Sequence, residues 1–139
     1  MPNDINARYA EWKIWLEKYR PFIRSNAVFV GHSQGGIFLA KYFSETTWPK
    51  NVGALILVAP PHNRTKGIGD FRLQKSLTKL GRQIQNITIF HSTDDHIVPY
   101  AEMAVYGKAL PGVQLRTLKK RGHITQAHFP ELVRLIKSL

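Results

Sequence analysis

Ala27-Val28-Phe29-Val30-Gly31-His32-Ser33-Gln34-Gly35-Gly36-Ile37-Phe38-Leu39-Ala40 is the stretch on which the fold turns. Its first four residues are continuously apolar and too few for a helix, so they read as a short buried strand. Gly31 to Gly35 form the pattern G-x-S-x-G, and an apolar-rich run from 37 to 43 follows as a helix. The order is strand, sharp turn, helix. A serine lifted above the end of a strand needs a strained backbone, and glycines two residues to either side avoid clashes there. The helix opening beside Ser33 aims its N-terminus, with its free N–H groups, at whatever reacts with the hydroxyl.

Working outward, Ile5, Tyr9, Trp12, Leu16 and Tyr19 recur at the spacing of an amphipathic helix that Pro21 would end. Trp12, Trp15 and Tyr19 are then expected to be core or helix-packing residues. Residues 53–59 and 87–91 are short, unalternating apolar runs of the kind found in central parallel strands. Residues 113–118 alternate, as an edge strand does. Helical patterns fill 71–84 and 100–110, the second stopped by Pro111-Gly112, and a last helix begins near Pro130. On the helix predicted for 71–84, Arg72, Lys75, Lys79 and Arg82 share one side and Leu73, Leu77, Leu80 and Ile84 the other. Strands separated by helices imply an α/β fold: a parallel sheet of about four strands with right-handed crossovers and flanking helices. No linker or repeat divides residues 1–139, which read as a single domain.

A serine hydroxyl is a poor nucleophile until an imidazole takes its proton, and the imidazole needs a carboxylate to fix its tautomer. His91-Ser92-Thr93-Asp94-Asp95-His96-Ile97-Val98-Pro99 lies just past the third strand, where an acid would sit at the carboxyl edge of the sheet. Gly122-His123 follows the last strand after a short basic loop. The chain order Ser, Asp, His is that of one class of serine nucleophile sites, and nothing in the glycine turn dictates it. His32 is expected to pack against neighbouring strands rather than act as a base. His62, His91, His96 and His128 lack the spacing of a metal-binding helix face, so no metal and no cofactor is expected.

Composition limits the alternatives. The 139 residues are 43% hydrophobic, enough for one sizeable core, and contain no cysteine, which removes disulfides, thiol catalysis and Cys-based zinc sites. A reducing compartment, the cytoplasm, is the expected location. The longest apolar run, 52–61, falls far short of the roughly 20 residues needed to span a bilayer. Twenty Lys and Arg against nine Asp and Glu leave a net charge of +11, which would assist association with nucleic acid, an anionic membrane or an acidic substrate. The basic side of residues 71–84 is read as a solvated outer face, its alternative being a surface for a polyanion.

Over nearly its whole length the chain resembles the small α/β-hydrolases typified by the retinoblastoma-binding serine hydrolase and the bacterial YdeN-like proteins. The residues that carry the likeness are Tyr9-Ala10-Glu11-Trp12, Gly31-His32-Ser33-Gln34-Gly35-Gly36, Leu57-Val58-Ala59-Pro60, Ser92-Thr93-Asp94-Asp95-His96-Ile97-Val98-Pro99 and Gly122-His123. The resemblance implies a serine hydrolase acting on an ester or amide, with Ser33 as nucleophile, His123 as general base and Asp95, three residues before Val98-Pro99, as the acid. Asp94 would be a loop or helix-capping residue. The backbone N–H of Gln34 would be one oxyanion donor. In that family two strands precede the region matched by Met1, and the loop after the first supplies the other donor. This sequence lacks both strands, so an N-terminally shortened sheet is expected, with residues 27–30 at an open edge through which chains self-associate. An upstream segment carrying the strands would then raise activity by about a hundred to a thousand fold, the worth of one oxyanion donor. The alternative is a weak or inactive hydrolase-fold binding module using the basic helix face.

Overall fold

A computed structural model describes all residues, Met1–Leu139, and carries nine regular elements. In chain order they are α1 (Tyr9–Tyr19), β1 (Ala27–His32), α2 (Gln34–Glu45), β2 (Val52–Val58), α3 (Thr78–Gln83), β3 (Ile87–Ser92), α4 (Ala101–Ala109), β4 (Gln114–Leu118) and α5 (Pro130–Lys137). The four strands form one all-parallel sheet in the order β1-β2-β3-β4. Register runs straight across it, Val30 opposite Ile56, Ile56 opposite Thr88, and Thr88 opposite Gln114. Every residue of β3 and the last five of β2 are buried, which is why these strands read as continuous apolar runs. β4 is largely exposed and pairs only with β3, as its alternation predicts, and β1 pairs only with β2.

The period of two along β2 and β3 sorts their side chains onto the two faces. Leu55, Leu57, Ile87 and Ile89 join a core of 23 buried residues that includes Tyr9, Trp12, Phe38, Tyr42, Leu80 and Tyr106 from the first four helices. Ile56, Val58 and Phe90 point the other way, into a cluster of six that Ile124 and Leu135 of the C-terminal segment complete. Each fully buried Leu, Ile or Phe contributes about 1.5–3 kcal/mol. The first face therefore carries most of the stability, and α5 is the lesser cover.

Two predicted helices differ from the observed ones. On α1 only Tyr9, Trp12 and Leu16 are buried; Ile5 is 99% exposed ahead of the helix, and Tyr19 is half exposed, with its ring against Trp15 at 4.4 Å. Pro21 continues the chain as a short 3₁₀ turn over Arg20–Phe22. The helix predicted for 71–84 shrinks to Thr78–Gln83. The reason lies ten residues upstream: Asn63 accepts from Leu73 N–H (2.8 Å) and donates to Leu73 O (2.9 Å), holding those backbone groups out of a helical ladder. Leu73, Leu77, Leu80 and Ile84 are still buried, but the basic residues no longer share a helix face. Arg72 donates to Asn63 O and Lys79 to Glu45 O, so these cations tie chain segments together.

Candidate active site

Ser33 occupies the junction of β1 and α2 at φ 50°, ψ −119°, a conformation that non-glycine residues rarely adopt. Its N–H donates to Val58 O (2.8 Å), extending the β1–β2 ladder by one rung, and its carbonyl accepts from Gly36 N–H (2.8 Å). The turn is thus pinned on both sides. A Cβ on Gly31 would lie 2.5 Å from Gly35 O, and one on Gly36 would lie 3.0 Å from the Pro60 side chain, whereas a Cβ on Gly35 would meet nothing within 4 Å. The close approach that the motif requires therefore falls on Gly31 and Gly36, a correction to the symmetrical reading of the two motif glycines.

The structure brings Ser33, His123 and Asp95 together from three strand ends. His123 Nε2 lies 2.8 Å from Ser33 Oγ, and Nδ1 lies 2.9 Å and 3.1 Å from the two carboxylate oxygens of Asp95. With the Nδ1–H donating to Asp95, Nε2 is free to accept the serine proton. The Asp95 side chain is fully buried, and its Oδ1 also accepts from Ile97 N–H and Val98 N–H, both at 2.9 Å. Burial pushes this carboxyl up, but the hydrogen bonds from Val98, His123 and Ile97 outweigh it and hold it below the usual carboxylate range. Asp95 is accordingly an anion at neutral pH.

His91 approaches the same carboxylate from β3, its Nε2 3.1 Å from Val98 O and 3.3 Å from Asp95 Oδ2. Its Nδ1 is buried without a partner, which assigns the proton to Nε2, since a lone pair tolerates isolation better than an N–H. Burial lowers the pKa of His91, so the ring is neutral. The sequence held no signal for this neighbour: in a strand buried throughout, a histidine reads like any core residue. His32 does not pack into the sheet as expected. It ends β1 in register with Val58, yet it is exposed and bonds through Nε2 to His123 O (2.8 Å), its ring 4.8 Å from that of His123.

Gln34 is the first residue of α2, so its backbone N–H has no intrahelical acceptor. Beside it opens a cavity of about 460 Å³ whose lining includes Asp4, Asn6, Arg8, Ile68 and Asp70. No group of three or more His, Asp or Glu side chains converges as a metal would require.

A four-stranded parallel sheet, helices on both faces and a serine on a strained strand-to-helix turn define an α/β-hydrolase. The serine hydrolase family model matches residues 2–134, and the chain belongs to that family. It is 31% identical over 147 residues to the serine hydrolase RBBP9 of Rattus norvegicus, across 100% of this chain and 74% of that protein. Among solved structures, the ydeN gene product of B. subtilis superposes with a TM-score of 0.86 at 20% identity, over 99% of this chain and 78% of the other. A YdeN-like hydrolase of Pectobacterium atrosepticum gives 0.72 at 19% identity, over 94% and 69%. The protein is a serine hydrolase by family, and none of its helices is long and apolar enough to cross a membrane.

Proposed function

We propose that the chain, acting as one domain, hydrolyses a carboxylic ester, or an amide by the same route, with Ser33, His123 and Asp95 as its catalytic triad. One observation carries this reading: a single imidazole stands within hydrogen-bond distance of both the serine hydroxyl and a buried, ionised carboxylate. Ser33 Oγ attacks the carbonyl carbon as its proton passes to His123 Nε2, and Asp95 stabilises the imidazolium through Nδ1–H. Negative charge gathers on the former carbonyl oxygen, toward which the Gln34 N–H and the N-terminus of α2 supply a donor and a favourable dipole. Collapse returns the proton to the departing alkoxide, leaving acyl-Ser33. Water then gives its proton to His123 as it attacks the acyl carbon; His123 returns that proton to Ser33 Oγ as the acyl–Oγ bond breaks, releasing the acid and restoring Ser33.

The cavity beside Gln34 would take the acyl or alcohol portion of a small substrate. The competing reading, a weak or inactive binding module with a basic helix face, is the less supported, since Arg72 and Lys75 lie ahead of α3 and only Lys79 and Arg82 belong to it. A chain free of cysteine suits a reducing, cytoplasmic setting.

A fluorophosphonate probe tests the proposal. It should label Ser33 alone, and Ser33→Ala should abolish both labelling and turnover of an aryl ester; equal labelling of the variant would sink the assignment. Asp95→Asn should lower kcat by roughly 10⁴-fold through the wrong tautomer of His123, and a loss confined to Asp94→Asn would move the acid to Asp94.

A further inference from the structure

The turn that carries Asp95 carries a second carboxylate, and it faces the histidine loop from outside the proposed triad. Asp94 Oδ1 accepts from Arg121 N–H (3.2 Å) and from the Ser92 hydroxyl, and Oδ2 accepts from Gly122 N–H (3.3 Å). Ser92 Oγ, itself fully buried, also accepts from Arg121 N–H (3.2 Å). Two successive backbone N–H groups closing on one anion make a nest, here filled by a side chain of the protein itself. Those two residues immediately precede His123.

The loop needs such an anchor. Lys120, Gly122 and Ile124 all have positive φ (57°, 52° and 55°), and for a lysine and a β-branched isoleucine that conformation is disfavoured. Other contacts contribute: His32 bonds to His123 O, Arg121 pairs with Glu131 at 2.6 Å, and Gln126 donates to Arg121 O. None of them refers the loop to Asp95. Asp94 does, because it is the next residue on the same tight turn, closed by Asp95 N–H donating to Ser92 O. Any slip of the loop against the acid must break the nest.

We propose that Asp94 is a positioning residue for His123, fixing the loop by its backbone while Asp95 fixes the imidazole; this rests on the triad reading above. The carboxylate form is the one required, and the hydrogen bond from Ser92 holds the Asp94 carboxyl below its ordinary range. Asp94 is exposed, so truncating it leaves the core intact.

The test compares Asp94→Ala, Asp94→Asn and the unaltered 139-residue chain on p-nitrophenyl acetate. Circular dichroism checks folding, and the proton resonance of His123 Nδ1–H is followed by NMR. Misplacing a catalytic group by an ångström or less costs up to about a hundredfold, so Asp94→Ala should lose roughly ten- to a hundredfold in kcat while KM stays within about twofold. Asp94→Asn, which keeps one acceptor oxygen, should lose less than about tenfold. The Nδ1–H resonance should be exchange-broadened or lost in the alanine variant and retained with asparagine. Should Asp94→Ala fail to fold, the asparagine variant carries the test through its smaller kcat loss, of a few-fold, at unchanged KM, and an unaltered kcat there would overturn the inference. Unaltered kcat in folded Asp94→Ala, or a change in KM alone, would overturn the inference. Activity persisting in Ser33→Ala would instead remove the nucleophile assignment, with the Nδ1–H resonance still deciding whether Asp94 positions His123.

Discussion

His91 lies with its imidazole wholly buried, its Nε2–H shared between Val98 O and Asp95 and its ring edge-on to Tyr100 at 5.8 Å. Charging it would bury a second N–H with no acceptor, which is why its pKa falls below the ordinary 6.5. His62, half-buried with its ring edge-on to Tyr106, is lowered for the same first reason, loss of solvation. For a histidine whose folded pKa is depressed, the unfolded chain binds more protons in the interval. The stabilisation is therefore complete above about pH 6.5 and is lost as pH falls toward the folded pKa. Tm should decline as pH drops from about 7 to 5, and His91→Gln, which keeps a donor for Val98 O, should flatten part of that decline. A slope unaltered in His91→Gln would leave His62 as its source. Asp95, with its pKa depressed, adds a further loss only below its unfolded value near 4. The chemistry-bearing residue types were legible in the sequence at this scale. The second histidine on Asp95 and the nest under the His123 loop were not, because both depend on side chains meeting across strand ends.

The element that positions Ser33 is the β1–turn–α2 unit, and its tolerance to a methyl group should differ sharply between glycines of the same motif. Gly31→Ala places Cβ against the backbone of Gly35 and Gly36, at 2.5–2.8 Å, where no flexible side chain can yield. It should destabilise the protein by about 1–3 kcal/mol, as overpacking does. Gly35→Ala enters open space inside a helix and should be neutral or stabilising by up to about 1 kcal/mol, the usual difference in helix propensity. Urea denaturation measures both, and equal losses would mean that the turn is governed by conformation rather than by contact. The strands were legible because apolar runs bounded by turn residues are local signals. The segment 71–84 was misread because hydrophobic periodicity reports which residues are buried, and Leu73 and Leu77 are buried, without reporting that Asn63 has already claimed the backbone of Leu73.

For the whole molecule, the consequential feature is the free edge of β1. It bonds to β2 on one side only, Val30 is 44% exposed, and an apolar hollow of about 240 Å³ lies alongside, lined in part by Met1, Trp15, Phe29 and Phe38. Unpaired N–H and C=O groups beside apolar surface invite another strand. The 139-residue chain should therefore self-associate with rising concentration in sedimentation velocity, and Val30→Lys, which adds a charge at the edge, should hold it monomeric. A monomer at all concentrations would show that the edge is already guarded. The sequence alone determined the order of strands and helices, the parallel sheet and the placing of a serine on a glycine turn, because each is written in short-range periodicity and backbone preference. Tertiary structure alone decided which partners the groups acquire: the serine and the carboxylate that meet the imidazole, the carboxylate that meets the loop, the histidine with no place for a second proton. Those contacts join residues separated by up to 90 positions, and only the packing of strand ends at the carboxyl edge of the sheet brings them within hydrogen-bond distance.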